Sequence, residues 1–194
     1  MSERMKTPMP KLMRSLEKDE RGYPIPFLVL RDKSGQPQFT INDHTKARQC
    51  VTKRLCAICG KRMSDGYWFV GGIRCFLHEF GAFIDPPLHY ECAEYALKVC
   101  PFLALPSYTK RIDSKKLKPE NVPENTALIE NLGVPPFRPT LFGLGMTAKY
   151  NLKFEPNGSF IFTVNDWLYV EWWQNGQRQL APETGIAAPL EEVS

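Results

Sequence analysis

Two short cysteine and histidine pairs restrict this chain more than any other feature. Cys56-Ala-Ile-Cys59-Gly60 places two thiols three residues apart ahead of a glycine, and His89-Tyr-Glu-Cys92 follows after a long interval. Two thiolates at that spacing bind one ion when the backbone turns tightly between them, and the glycine admits the positive φ that aims amides at sulfur. A lone C-x2-C needs a second pair to close a four-ligand site. Two candidates exist: Cys75-Phe-Leu-His78 and His89-Tyr-Glu-Cys92. The second is preferred. Pro86 and Pro87 set the start of a helix at 89–100, residues three apart in its first turn share a face, and the helix N-terminus favours a thiolate. Cys56, Cys59, His89 and Cys92 are therefore the expected ligands of one structural Zn²⁺.

The remaining cysteines, Cys50, Cys75 and Cys100, read as small buried hydrophobes. A disulfide framework is not expected, because the spacings are not those of a small stapled scaffold and the chain reads as cytoplasmic. Its first 20 residues are charged throughout and carry no apolar signal core. Its longest apolar runs, "IPFLVL" and "WFVGGI", fall far short of the roughly 18 to 20 residues of a membrane helix.

The expected fold class is α+β, with a treble-clef-like zinc-binding central region and a small antiparallel β part at the C-terminus. Residues 1–20, interrupted by Pro8 and Pro10, read as a mobile arm. Residues 21–106 form the zinc-binding region. It opens with two strands around the turn "DKSGQ", continues with a helix from 44 capped by Asp43, and then with the strand "YWFVGG". Ala93, Ala96, Leu97 and Cys100 form the buried stripe of the helix that Pro101 closes. Residues 107–139, rich in proline and carrying "KRIDSKKLK", read as a connector, with a short strand at "TALIENL". Residues 140–194 form a β-hairpin region, with turns at Asn157-Gly158 and Asn175-Gly176.

Charge divides along the chain. Residues 1–62 carry 14 Lys/Arg against 6 Asp/Glu, and the remainder carries 11 against 15. The basic half suits an acidic partner, nucleic acid above all. Lys46, Arg48, Lys53, Arg54, Lys61 and Arg62 are the candidate phosphate contacts, with Tyr67 and Trp68 as stacking platforms. The competing surface is the tryptophan-rich tail. Trp172 and Trp173 are adjacent and so point to opposite faces of a strand, which leaves one of them for a protein partner unless both faces are covered.

The stretches "RGYPIPF", "LCAICGKRM", "PPLHYECAEYALKVCPFL" and "VEWWQNGQRQLAPET" resemble those of a group of uncharacterised small proteins from bacteria and their phages. The resemblance spans most of residues 21–184. It implies Cys56, Cys59, His89 and Cys92 as ligands and implies no activity. If the chain is phage-encoded, interference with a host protein through the tail is the implied alternative role.

Enzymatic readings have less to stand on. A closed Cys₃His site leaves no position for water or substrate, and three thiolates make zinc a poor Lewis acid. An HNH-type nuclease needs a separate histidine and catalytic divalent ion, for which only His44 and His78 remain. The deaminase signature requires a cysteine pair after His-x-Glu, and here the pair precedes it. No P-loop or dinucleotide glycine pattern is present. The expected function is a non-enzymatic, zinc-stabilised binding protein directed at nucleic acid or a nucleic-acid-associated protein.

Overall fold

The computed structural model describes residues 6–64, 66–77, 81–107, 119–121, 123, 138–156 and 158–182. Most of the expected connector, including "TALIENL", lies outside them, as does His78. Among the described residues the chain mixes α-helices with antiparallel sheets.

Two strands, β1 (Val29–Arg31) and β2 (Pro37–Asn42), pair around a turn built by Asp32. Its carboxylate accepts from the Ser34 and Gln36 amides and from the Ser34 hydroxyl, which closes the loop locally and holds the Asp32 acid below its ordinary pKa. Asp43 then caps helix α1 (His44–Lys53), accepting from the Lys46 amide at 3.1 Å. Arg54 ends the helix in a left-handed conformation at φ 56°.

Strand β3 (Tyr67–Gly72) follows, then the single helical turn α2 (Arg74–Leu77), the short strand β4 (Ala82–Phe83), helix α3 (Tyr90–Val99) and the turn α4 (Pro101–Ala104). After the connector come β5 (Phe142–Thr147), β6 (Asn151–Phe154), β7 (Phe160–Thr163), β8 (Tyr169–Gln174) and β9 (Gln177–Gln179). β6 pairs β7 with Phe154 opposite Phe160, Asn157 lying outside the described residues, and β8 pairs β9 across Asn175-Gly176.

The strands assemble into sheets that mix early and late segments. One has the order β3-β5-β8-β9 and another β4-β7-β6. β3 and β5 pair along their whole length, from Tyr67 opposite Thr147 to Gly72 opposite Phe142. The late strands therefore do not stand apart from the metal-binding region; they complete its sheets. "FGLGMT" carries no strand signal of its own, yet β5 is central.

The glycines of β5 explain why. Cross-strand neighbours share a face of a sheet, so Gly71, Gly143, Gly145 and Trp172 lie on one side. A Cβ at Gly143 would stand 2.5 Å from the Phe76 ring, and one at Gly145 would stand 2.6 Å from both Phe76 and Trp167. These positions are a flat floor for aromatic rings. Phe76, Phe83 and Trp167 pack there edge-on or tilted, and Phe69 joins them to Phe162 of the other sheet.

The opposite face carries Trp68, Val70, Leu144, Glu171 and Trp173, and α3 approaches it: the Trp68 ring meets Tyr90 at a tilt, and the Lys98 ammonium lies 5.7 Å from the Trp173 ring centre. Both faces being covered, Trp172 and Trp173 are only 2% and 3% exposed. This corrects the expectation that one of them is free for a partner. In the N-terminal segment, Met13, in a 3-10 turn at Lys11–Met13, is 2% exposed, and the Ile25 amide donates to the Glu17 carbonyl, while most charged residues around Met13 stay exposed.

Candidate metal centre

The site begins with the left-handed Arg54, which turns the chain out of α1 into a small hairpin. Leu55 bridges Arg62, the Cys56 amide donates to the Lys61 carbonyl, and the Met63 amide donates to Arg54. Between these rungs the chain makes the knuckle turn, with the Gly60 amide donating to the Cys56 carbonyl and Gly60 at φ 69°. A side chain at 60 would also strike Phe27, whose ring lies 2.8 Å from the position of a Cβ. The amides of Cys59 and Lys61 donate to the sulfurs of Cys56 and Cys59. The local backbone is thus wired to stabilise negative charge on sulfur.

The second pair arrives from the other side. Leu88 bridges Trp68 of β3, and the Ala57 amide reaches the Pro87 carbonyl, which fixes the entry to α3 against the knuckle. His89 is the N-cap residue of α3 and Cys92 lies in its first turn. His89 thus sits one step outside the helix rather than within its first turn, as the spacing argument had placed it. Its backbone amide donates to the Cys56 sulfur at 3.4 Å.

The ligand atoms of Cys56, Cys59, His89 and Cys92 all lie within 4.8 Å of one another, and Cys56 and Cys92 are fully buried. In a tetrahedral site with bonds of about 2.0 to 2.3 Å, neighbouring donors stand roughly 3.5 to 3.8 Å apart. The Cys59 sulfur is already 3.3 Å from His89 Nδ1. His89 Nε2 faces the Arg62 carbonyl at 3.2 Å, so that nitrogen carries the proton and Nδ1 is left to bind an ion.

The protonation chemistry also calls for a cation. With no ion between them, only one of three adjacent sulfurs carries charge comfortably. Hydrogen bonds from the Cys59 and Cys92 thiols hold Cys56 far below its ordinary pKa, and the same contacts push Cys59 up to about 11 and Cys92 higher still. His89 is raised by the Cys56 sulfur beside it. A dication removes this competition by letting all three sulfurs ionise at once, offsetting two of their three charges. The donor set fits a metal ion. Cys75 is not part of the cluster; it packs under Gly71, and burial raises its thiol pKa.

The six basic candidates divide. Lys46 is tied into the fold: its ammonium donates to the Val29 carbonyl, pairs with Asp43 at 3.8 Å and covers the Phe27 ring. Arg48 reaches over Phe154. Lys53, Arg54, Lys61 and Arg62 are exposed around the knuckle. Thr52, Lys53, Arg54, Leu55 and Arg62 line an open depression of about 380 Å³. Tyr67 and Trp68 are half-buried and engaged in ring contacts with Tyr150, Tyr90 and Tyr169, so they do not form a free stacking surface. His44 stacks on Phe160 and bonds the Gly158 carbonyl, anchoring the β6–β7 hairpin to α1.

Two features of the site had no sequence signal. The Arg62 carbonyl that orients His89 depends on hairpin register rather than on side-chain identity. The depression depends on α1 ending against the knuckle. No helix among the described residues is long and apolar enough to cross a membrane. No family model, curated protein or solved structure matches the chain.

Proposed function

We propose that this is a non-enzymatic, zinc-stabilised binding protein whose target is nucleic acid, engaged through the exposed basic surface beside the metal centre. Zinc is the ion that best suits three thiolates and an imidazole in a closed tetrahedron. Its role is to tie a knuckle to the first turn of a helix in a treble-clef-like arrangement. That role suits a reducing, cytoplasmic setting, where thiols stay available as ligands. Membership of the small bacterial and phage protein group is part of the same reading.

The observation that carries the nucleic-acid reading is the depression lined by Lys53, Arg54 and Arg62. These cations are exposed and stand on a backbone braced by the metal ligands, which lowers the cost of ordering them on a phosphate. A protein partner docking through Trp172 and Trp173 has no comparable support, because both rings are buried.

The test is binding of duplex DNA, single-stranded DNA and RNA by the metal-loaded protein at two salt concentrations. The reading requires affinity that falls steeply with salt and weakens in a Lys53→Glu/Arg54→Glu variant. Binding to none of the three at low salt overturns it.

A further inference from the structure

We propose that the protein associates with a second copy of itself by antiparallel pairing of β6 with β6, with the two Phe154 residues opposite each other and Lys153 of each copy opposite Glu155 of the other. This goes beyond the nucleic-acid reading and does not depend on it.

The first argument is an open backbone edge. β6 ends its sheet: the order is β4-β7-β6, and among the described residues its only strand partner is β7. Which of its polar groups face outward follows from the ladder. Glu155 stands opposite Ser159, and its amide donates to the Ser159 carbonyl at 3.0 Å, which makes the two a hydrogen-bonded pair. Such pairs alternate along an antiparallel ladder, so Lys153 also turns its N–H and C=O toward β7, while Leu152 and Phe154 turn theirs to the open side. An edge in that state is a template for another strand.

The second argument is an unfinished apolar face. Cross-strand neighbours share a face, so Leu152 continues the face of Phe162 and Phe154 that of Phe160. Phe162 and Phe160 are buried, yet Leu152 is 42% exposed and Phe154 53%. The Arg48 guanidinium lies 6.0 Å from the Phe154 ring centre and still leaves more than half of that residue in contact with solvent. A second β6 laid alongside extends the same face and shields both side chains.

The third argument is charge, and it selects a second copy as the occupant. Lys153 and Glu155 lie on the face opposite Phe154, with their charged groups 2.8 Å apart. A lysine on an edge strand ordinarily deters pairing. Here it deters only the register that sets Lys153 against itself. When the pairing is centred on Phe154, each Lys153 meets the Glu155 of the other copy, so one short strand supplies both halves of two ion pairs. In that register the outward N–H and C=O groups of the two Phe154 residues meet as a hydrogen-bonded pair. Pro156 then stands opposite Leu152 and, having no N–H, ends the ladder. The contact is therefore short and weak, and its two-fold symmetry closes it at two copies.

The experiment is sedimentation velocity of the metal-loaded full chain over a series of protein concentrations. The unmodified protein is expected to show a monomer–dimer equilibrium. Lys153→Glu and Glu155→Lys each set like charges against each other at both pairs, and each should weaken the dimer by about tenfold. An equimolar mixture of these two variants should recover it, because the mixed dimer again has opposite charges at both pairs, and Lys153→Glu/Glu155→Lys in one chain should dimerise like the unmodified protein. All four residues of β6 are exposed, so melting temperature and metal content should stay unchanged in every variant. A monomer at every concentration overturns the proposal, as does a dimer indifferent to both single reversals. Two weakened variants that fail to recover on mixing overturn it as well, since the loss then does not come from charges facing each other across the two strands.

Discussion

Removal of one buried thiolate offers the most demanding test of the metal centre. Cys92 is fully buried, belongs to the first turn of α3, and meets Cys56, Cys59 and His89 at one point. A structural zinc site contributes on the order of 10 to 16 kcal/mol of binding free energy, while a whole domain is stable by only about 5 to 15 kcal/mol. Losing the ion therefore costs as much as the entire net stability. The loss does not stay local, because Leu88 and Trp68 carry the site directly into the sheet of β3 and β5. Cys92→Ala should yield protein without metal and without a cooperative thermal transition. Chelation of the unmodified protein should give the same state, releasing one zinc per chain. Cys75→Ser, outside the cluster, should keep its metal and lose about 1 kcal/mol. Circular dichroism melting with a colorimetric zinc assay decides the matter. A chelated, metal-free protein that melts within a few degrees of the loaded form would refute the reasoning.

Other expectations follow from the same geometry. Metal content should fall as pH is lowered, because protons compete for the three sulfurs and for His89, whose affinity for a proton is already raised by Cys56; dialysis across a pH series checks this, and a flat profile counts against a thiolate site. Gly145→Ala should destabilise the protein by about 1 to 3 kcal/mol through overpacking against Phe76 and Trp167, read from urea midpoints, whereas Gly35→Ala, where a Cβ meets nothing within 4 Å, tests backbone strain alone. Arg178→Ala should cost about 1.5 to 3 kcal/mol by stripping a charged partner from Glu171, whose carboxylate is 4% exposed and already accepts from Trp173 Nε1; an unchanged melting temperature would show that water replaces the guanidinium fully.

Local chemistry made much of the chain legible. Asp32, Asp43, Asn175-Gly176 and Gly60 act within a few residues of themselves, and each sits where turn or cap rules place it. The four metal-binding candidates were legible because ligand spacing is also local within each pair. What escaped depends on partners far along the chain. β5 has a single β-branched residue, the terminal Thr147, and its glycines weaken the strand signal, yet they are there because Phe76 and Trp167 need a floor without side chains. The burial of both Trp172 and Trp173 required knowing that α3 covers one face of β8 and Phe76 the other. Met13 escaped because a proline-interrupted segment shows no periodicity, but burial needs only one well-placed side chain.

The pairing of β3 with β5 also sets an order of events during synthesis. Every metal-binding candidate has been translated by residue 92, whereas the strand that hydrogen-bonds along β3 ends only at Thr147. Chains emerge N-terminus first, and their earlier parts begin to organise while the later parts are still being made. The knuckle and the first turn of α3 can thus close around an ion while "YWFVGG" still lacks its neighbour, an unpaired apolar edge that invites association with other chains. On the zinc reading proposed above, supply of the ion at that stage decides whether the nascent edge is held beside Leu88, ready for β5, or left loose.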